Sequence, residues 1–471
     1  MASGQSRQAA AIVDNDDYQH HQPLSPNSLA YTSSALSVSI LCMFESEVPF
    51  DDDTSTYLHL GDLCLNSHPR FSSVIINDRS GTARWKKITV NLEDHVKVPR
   101  FPGGMSPDEY SNYFQEYLSK ICNAPFREGI PMWEIHICNY PTRDAAGSIV
   151  IRLHHALGDG FTLMGALMSF VKRADDPSLP LTFPSSSKQR YDKKTVFSRL
   201  SESAQRFWDT ASDVVWSAVE SRRGADDGSA IRSGNVEIVS VPICSTRLVL
   251  PLDQVHEVKS KIDATINDVV LGMIFYGIHL YNHKMNQTSS RKRMTALVTV
   301  NTRKFGGYQP VKDMLEANSS ANSSTTIDIL IPSCDDVEKV DPLIFILEAQ
   351  KAIKRKRNSM MTVIKLSLFQ MLCKIKGAEV VGQQYYHIVN NSSMIISNLI
   401  GPKEKMKVSK YLLKNFYFFL TGCPIGIVAN VMSYCGHLTL VVTIEKDFIA
   451  PEMLINYINE AFERIYAKVM G

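Results

Sequence analysis

Two apolar segments that alternate at period two, followed directly by a segment of helical spacing, limit what this chain can fold into. Residues 132–137 and 148–153 predict strands, and residues 161–171 predict a helix. Between the second strand and the helix stand His154, His155, Ala156, Leu157, Gly158, Asp159 and Gly160. A strand that turns through Gly-Asp-Gly into a helix belongs to a mixed α/β chain. The same alternation recurs along the sequence. Residues 36–44, 295–300 and 438–444 predict strands. Residues 107–121, 265–281 and 450–470 predict helices, the second with Thr265, Asn267 and Asp268 in its N-cap region.

The organisation expected is a disordered tail over 1–22, an N-terminal domain over 23–180, a linker over 181–235 and a C-terminal domain over 236–471. The linker opens with a stretch rich in Pro, Ser and Lys. Residues 196–219 then carry one continuous helical apolar stripe. That stripe holds Phe197, Phe207, Trp208 and Trp216, with Lys193, Lys194, Arg199, Arg206, Arg222 and Arg223 on or near it. It fits a helix lying in a membrane interface, or a linker helix packed across both domains. The apolar run 415–420 is too short to span a bilayer and is expected in the core or a substrate channel.

Charge and cysteine content exclude several classes. Fifty basic residues against 48 acidic ones leave a net charge of +2, too little for a dedicated nucleic-acid binder. The nine cysteines are odd in number and none has CxxC spacing, so neither a disulfide framework nor a structural zinc site is expected. No run of about 18 apolar residues exists, and no secretory signal precedes Leu24, so membrane contact is expected to be peripheral. The basic groups at Lys354, Arg355, Lys356 and Arg357, and at Lys403, Lys405, Lys407 and Lys410, fit a solvated face, anionic lipid or CoA phosphates.

Successive strand side chains face opposite ways, so His154 and His155 cannot do the same job. If Ile149, Ile151 and Leu153 share a face, His155 shares it, and His154 goes with Val150 and Arg152. Imidazole is a neutral base near pH 7. Gly158 and Gly160 permit a tight turn around Asp159. A plain reading is a histidine pair at a strand end before an ordinary turn. Adjacent histidines diverge and no second ligand cluster accompanies them, so no metal is expected.

The string HHALGDG resembles the active-site motif of the wax ester synthase/diacylglycerol acyltransferase family, in its plant branch. That family is similar to other CoA-dependent acyltransferases: BAHD enzymes, chloramphenicol acetyltransferase and condensation domains. Further blocks follow in family order. They are Pro23-Leu24-Ser25-Pro26, then His68-Pro69-Arg70-Phe71-Ser72-Ser73 with Trp85, and then Pro131-Met132-Trp133-Glu134. Thr265-Ile266-Asn267-Asp268-Val269, Asn301-Thr302-Arg303 and Ser397-Asn398-Leu399-Ile400-Gly401-Pro402 complete the series.

The resemblance implies two chloramphenicol-acetyltransferase-like domains with a tunnel between them. It makes His155 the general base, with His154 and Asp159 holding the motif's shape, Gly160 closing the turn and Arg303 pairing with Asp159. Asn267, or Ser397 and Asn398, would donate to the oxyanion or else cap a helix or order a turn, and Asp268 belongs to the same segment as Asn267. Acyl-CoA is implied as a substrate rather than a cofactor, with a fatty alcohol or diacylglycerol as acceptor. The expected location is the cytosolic face of the endoplasmic reticulum membrane, with the plasma membrane as a second site. Absence of the DFGWG segment counts against a BAHD enzyme. A non-catalytic lipid or acyl-CoA binder of the same fold is the alternative.

Overall fold

A computed structural model describes residues 22–51, 53–79, 81–183, 209–210, 224–232, 242–285, 292–301, 324–334, 339–359 and 361–471. The expected tail up to residue 21, the stripe at 196–219 apart from residues 209 and 210, and Arg303 lie outside the described residues.

In chain order the strands are β1 (Ser39–Ser46), β2 (Ser73–Asn77), β3 (Ala83–Lys87), β4 (Val96–Lys97), β5 (Trp133–Cys138), β6 (Gly147–His154), β7 (Lys172–Arg173) and β8 (Ile243–Pro251). They continue as β9 (Thr295–Asn301), β10 (Ser324–Leu330), β11 (Met394–Ile400), β12 (Met406–Val408), β13 (Tyr411–Thr421), β14 (Ile427–Tyr434) and β15 (His437–Glu445). The helices are α1 (Pro26–Ala30), α2 (Thr54–Leu65), α3 (Pro107–Asn123), α4 (Gly160–Phe170), α5 (Leu252–Lys261), α6 (Ile266–Lys284), α7 (Leu343–Asn358), α8 (Met361–Asn390) and α9 (Pro451–Met470).

Two large sheets carry the fold. One has seven strands in the order β4-β5-β6-β1-β13-β12-β7, and the other has six in the order β10-β9-β11-β14-β15-β8. Alternation along β1 sorts its side chains between two layers. Leu41 and Met43 meet Phe114, Leu118 and Ile121 of α3. Ile40, Cys42 and Phe44 join the core that α2 and α4 cover. Helix α3 starts where Ser106 and Glu109 form a reciprocal capping box and Pro107 fills the first turn.

The sheets do not respect the expected boundary between 23–180 and 236–471. Strands β12 and β13 belong by sequence to the later segment, yet β13 pairs antiparallel with β1, from Ser39 opposite Thr421 onward. Period-two alternation marks a strand but does not name its neighbour, so this pairing was not legible in the sequence. The run 415–420 lies in β13, where Phe416, Tyr417, Phe418, Phe419 and Leu420 are all buried.

In the second half α6 is the central core helix. Added β-carbons at Gly272 and Gly277 would meet backbone atoms of Ile346 in α7 and Ile458 in α9, each at 2.7 Å, so both helices approach α6 closely. A polar joint ties β8 to the first sheet. Arg247 Nη1 donates to Glu45 Oε1 at 2.7 Å, and Tyr417 and Asn415 also donate to the Glu45 carboxylate.

No single helix among the described residues is long and apolar enough to cross a membrane. Helices α5 and α6 would reach that length only together, across a 99° bend. Because α6 is buried along most of its length, its apolarity is that of a core helix.

Candidate active site

Strand β6 ends at His154, and a short 3₁₀ turn, His155–Leu157, leads through Gly158 and Asp159 into α4. The chain reverses here because Asp159 caps α4. Its Oδ1 accepts from the Thr162 N–H at 2.9 Å and from the Thr162 hydroxyl at 2.8 Å. Arg70 clamps the 3₁₀ turn from outside by donating to the Leu157 carbonyl at 2.8 Å. The guanidinium is buried, and the negative charge of Asp159 favours its protonated form against desolvation. Sequence reasoning quoted Arg70 within a block but gave it no role.

The two histidines point apart. His154 Nδ1 accepts from the Ala156 N–H at 3.2 Å, and its ring meets Phe126 edge-on on the Arg152 side of the sheet. Burial, with the charges of His155 and Arg152, pushes its pKa down to about 3. His154 is therefore a neutral, turn-forming side chain. His155 faces the other way. Its ring lies 4.3 Å from the ring of Tyr31, and its Nδ1 is buried without a hydrogen-bond partner. Burial lowers the proton affinity of this imidazole, while its own backbone carbonyl and the Asp159 carboxylate act in the opposite direction.

The ring that covers His155 leads to the second half. Tyr31 follows α1 and meets the ring of Tyr385 of α8 edge-on, centroids 6.3 Å apart, and the Tyr385 hydroxyl lies 3.5 Å from that of Thr326 on β10. Burial raises the pKa of both tyrosines, so their hydroxyls keep their protons. Sequence reasoning missed both residues, because an isolated tyrosine carries no motif. Gly160 touches the second half directly: an added β-carbon there would lie 3.2 Å from the Leu399 side chain on β11. HHALGDG and the Ser397–Pro402 segment are thus brought together.

Strand alternation divides the remaining candidates. Ile395 and Leu399 face the first core, while Met394 and Ile396 face the core around α6. Ser397 shares the face of Leu399, and its Oγ accepts from the Thr299 hydroxyl at 3.2 Å. Asn398 shares the other face and donates to Asn267 Oδ1 at 3.2 Å. Asp268 completes a capping box with Thr265 at the start of α6.

A narrow cleft with room for about one water-sized molecule lies between the halves, lined by Asn123, Ile243, Thr421, Gly422, Cys423 and Glu445 among others. Its Thr421 is opposite Ser39, which is opposite His154. Among the described residues no group of His, Cys, Asp or Glu could hold a metal. All nine cysteines are free.

Comparison with known proteins gives the same frame. Residues 63–270 match the wax ester synthase/diacylglycerol acyltransferase catalytic domain, and residues 328–466 match the C-terminal domain of that family. Wax ester synthase/diacylglycerol acyltransferase 4 of Arabidopsis thaliana is 25% identical over 97% of this chain and 92% of its own length. Number 9 of the same series is 26% identical over 96% and 97%. The wax ester synthase/diacylglycerol acyltransferase of Marinobacter aquaeolei VT8 shares the fold, with a TM-score of 0.58 at 14% identity, covering 96% of this chain and all of that one. The trichothecene 15-O-acetyltransferase of Fusarium sporotrichioides also shares it, with a TM-score of 0.55 at 11% identity over 98% and 99%. With both halves of its sequence matched in order, the chain belongs to the wax ester synthase/diacylglycerol acyltransferase family.

Proposed function

We propose that this chain is an acyl-CoA-dependent O-acyltransferase that uses His155 as general base to acylate a long-chain alcohol, diacylglycerol or both. One observation carries the reading: a buried imidazole at the end of β6 lies against Tyr31, whose ring in turn meets Tyr385 of the second half. Nδ1 is sealed from water, which leaves Nε2 to meet the acceptor.

The acceptor hydroxyl gives its proton to His155 as its oxygen attacks the thioester carbonyl. The tetrahedral oxyanion collapses, the C–S bond breaks, and the imidazolium returns the proton to the CoA thiolate. A base of this kind contributes about 10²–10⁴-fold. Ser397 is the favoured oxyanion donor. It lies on the β11 face that meets Gly160, and its Oγ accepts from Thr299, so its own O–H remains to donate. Asn267 and Asn398 bond to each other and support α6 against β11. Asp159 and His154 hold the turn, with Arg303 as the proposed distant partner of Asp159.

Both acceptors are lipids, so the enzyme works at a membrane surface. The cytosolic face of the endoplasmic reticulum is the proposed location, with the plasma membrane as the second.

The test is CoA release from palmitoyl-CoA with hexadecanol or dioleoylglycerol in mixed micelles. Wild type should turn over, and His155→Ala should lose about two decades or more. Equal rates would remove His155 from the mechanism. Saturable acyl-CoA binding without CoA release would replace the enzyme with a lipid binder.

A further inference from the structure

Among the described residues, helix α8 buries one side and leaves the other without a partner. It runs from Met361 to Asn390 and bends at Gly377, whose φ of 80° and ψ of 170° interrupt the helix. Before the bend, Phe369, Leu372 and Cys373 turn toward Ala30 of α1 and Val381 of the same helix. On the opposite side Ile364, Leu368, Met371 and Ile375 are 39%, 51%, 57% and 67% exposed. Their spacing of four, three and four residues places all four within roughly 60° of one another at 100° per residue. Scattered exposed apolar residues need no explanation, but a four-member stripe along one helix face does.

The segment that carries the stripe has basic residues and no acidic ones. The sequence from Met361 to Ala378 contains no acidic residue. Lys365 and Lys376 are exposed on the flank, and the preceding helix α7 ends with Arg357 exposed. Among the described residues, Asp328 pairs with Lys356 and Lys365, and Glu379 accepts from the Ser34 N–H and hydroxyl. An apolar stripe with basic flanks complements the acyl boundary and anionic headgroups of a bilayer. Beyond the bend the same helix carries Tyr385, which reaches Tyr31 beside His155.

We infer that the first half of α8 is the surface by which this enzyme docks on an anionic lipid bilayer, next to the site that takes its acceptor from that bilayer. The inference rests on the reading of the acceptor as a lipid. The stripe at 196–219 is a separate candidate, and the two make different variants informative.

The experiment is co-flotation of the full chain with vesicles of phosphatidylcholine and phosphatidylserine. Leu368→Glu combined with Met371→Glu should reduce the bound fraction about tenfold or more. The melting temperature should stay at the wild-type value, because both side chains are exposed. Leu179→Glu, at an exposed leucine outside α8, should float like wild type. Should the double variant fail to fold, Ile375→Gln at the most exposed stripe position should weaken binding several-fold.

Unchanged flotation of the stripe variants, or an equal loss with Leu179→Glu, overturns the inference. A wild-type dimer that the double variant dissociates, with flotation intact, gives the stripe to a second copy and also overturns it. Wild-type turnover in detergent micelles without vesicle binding defeats the docking surface alone. Normal flotation without turnover defeats acyl transfer alone.

Discussion

Asp159 separates two physical roles that one carboxylate performs at the turn, and paired substitutions resolve them. Its side chain is fully buried, and one oxygen accepts from both the N–H and the hydroxyl of Thr162, itself buried. Asp159→Ala removes a helix cap, at about 1 kcal/mol. It also strands two buried donors, at about 1–3 kcal/mol. These costs overlap, so the capping share is about 2–3 kcal/mol. Asp159→Asn keeps an acceptor oxygen in place and removes only the charge, which faces the positive end of α4 and acts on buried Arg70.

The expected order in urea unfolding at neutral pH is wild type, then Asn, then Ala, with Ala below Asn by about 2–3 kcal/mol. If the two variants unfold at the same urea concentration, the cap contributes nothing and charge alone holds the turn. The Asn variant also bears on the base. The Asp159 carboxylate raises the proton affinity of His155, so its neutralisation should move the acid limb of the pH–rate profile to lower pH. Movement to higher pH would refute that electrostatic argument.

Two further outcomes are expected. Burial lowers the His155 pKa, so the neutral base persists below the ordinary imidazole value of 6.5; kcat/KM should hold at pH 6.5 and fall only at lower pH, as CoA release across a pH series will read. Glu45→Ala strands the buried Tyr417 hydroxyl and leaves Arg247 only the exposed Asp144 at 2.8 Å, so it should cost about 1–3 kcal/mol in urea unfolding, whereas no loss would show the joint to be solvent-screened.

Much of the local structure was legible because it depends on neighbours in sequence. The strand, the turn and the helix around His155 follow from alternation, Gly-Asp-Gly spacing and the capping residue. The start of α6 follows from Thr265 and Asp268. What stayed hidden depends on contacts distant in sequence. Nothing near Tyr31 announces Tyr385, and nothing near Arg70 announces the Leu157 carbonyl. The divergence of Ser397 and Asn398 follows from alternation, but which face meets the motif needed the contact between Leu399 and Gly160. The exposed side of α8 escaped notice because its residues resemble a core stripe until their partners are known.

The placement of β13 beside β1 also governs how the molecule is born. As a ribosome extends the chain, β1 and β6 emerge early and can pair at once. The other edge of β1 must then wait for Tyr411–Thr421, which comes near the end of synthesis. During that interval the row from Ser39 to Ser46 offers unpaired backbone groups and apolar side chains to any passing strand. The nascent N-terminal half thus keeps one edge of β1 open until Tyr411–Thr421 has been made. A message truncated before residue 411 would leave a sheet that cannot close, rather than a smaller working domain.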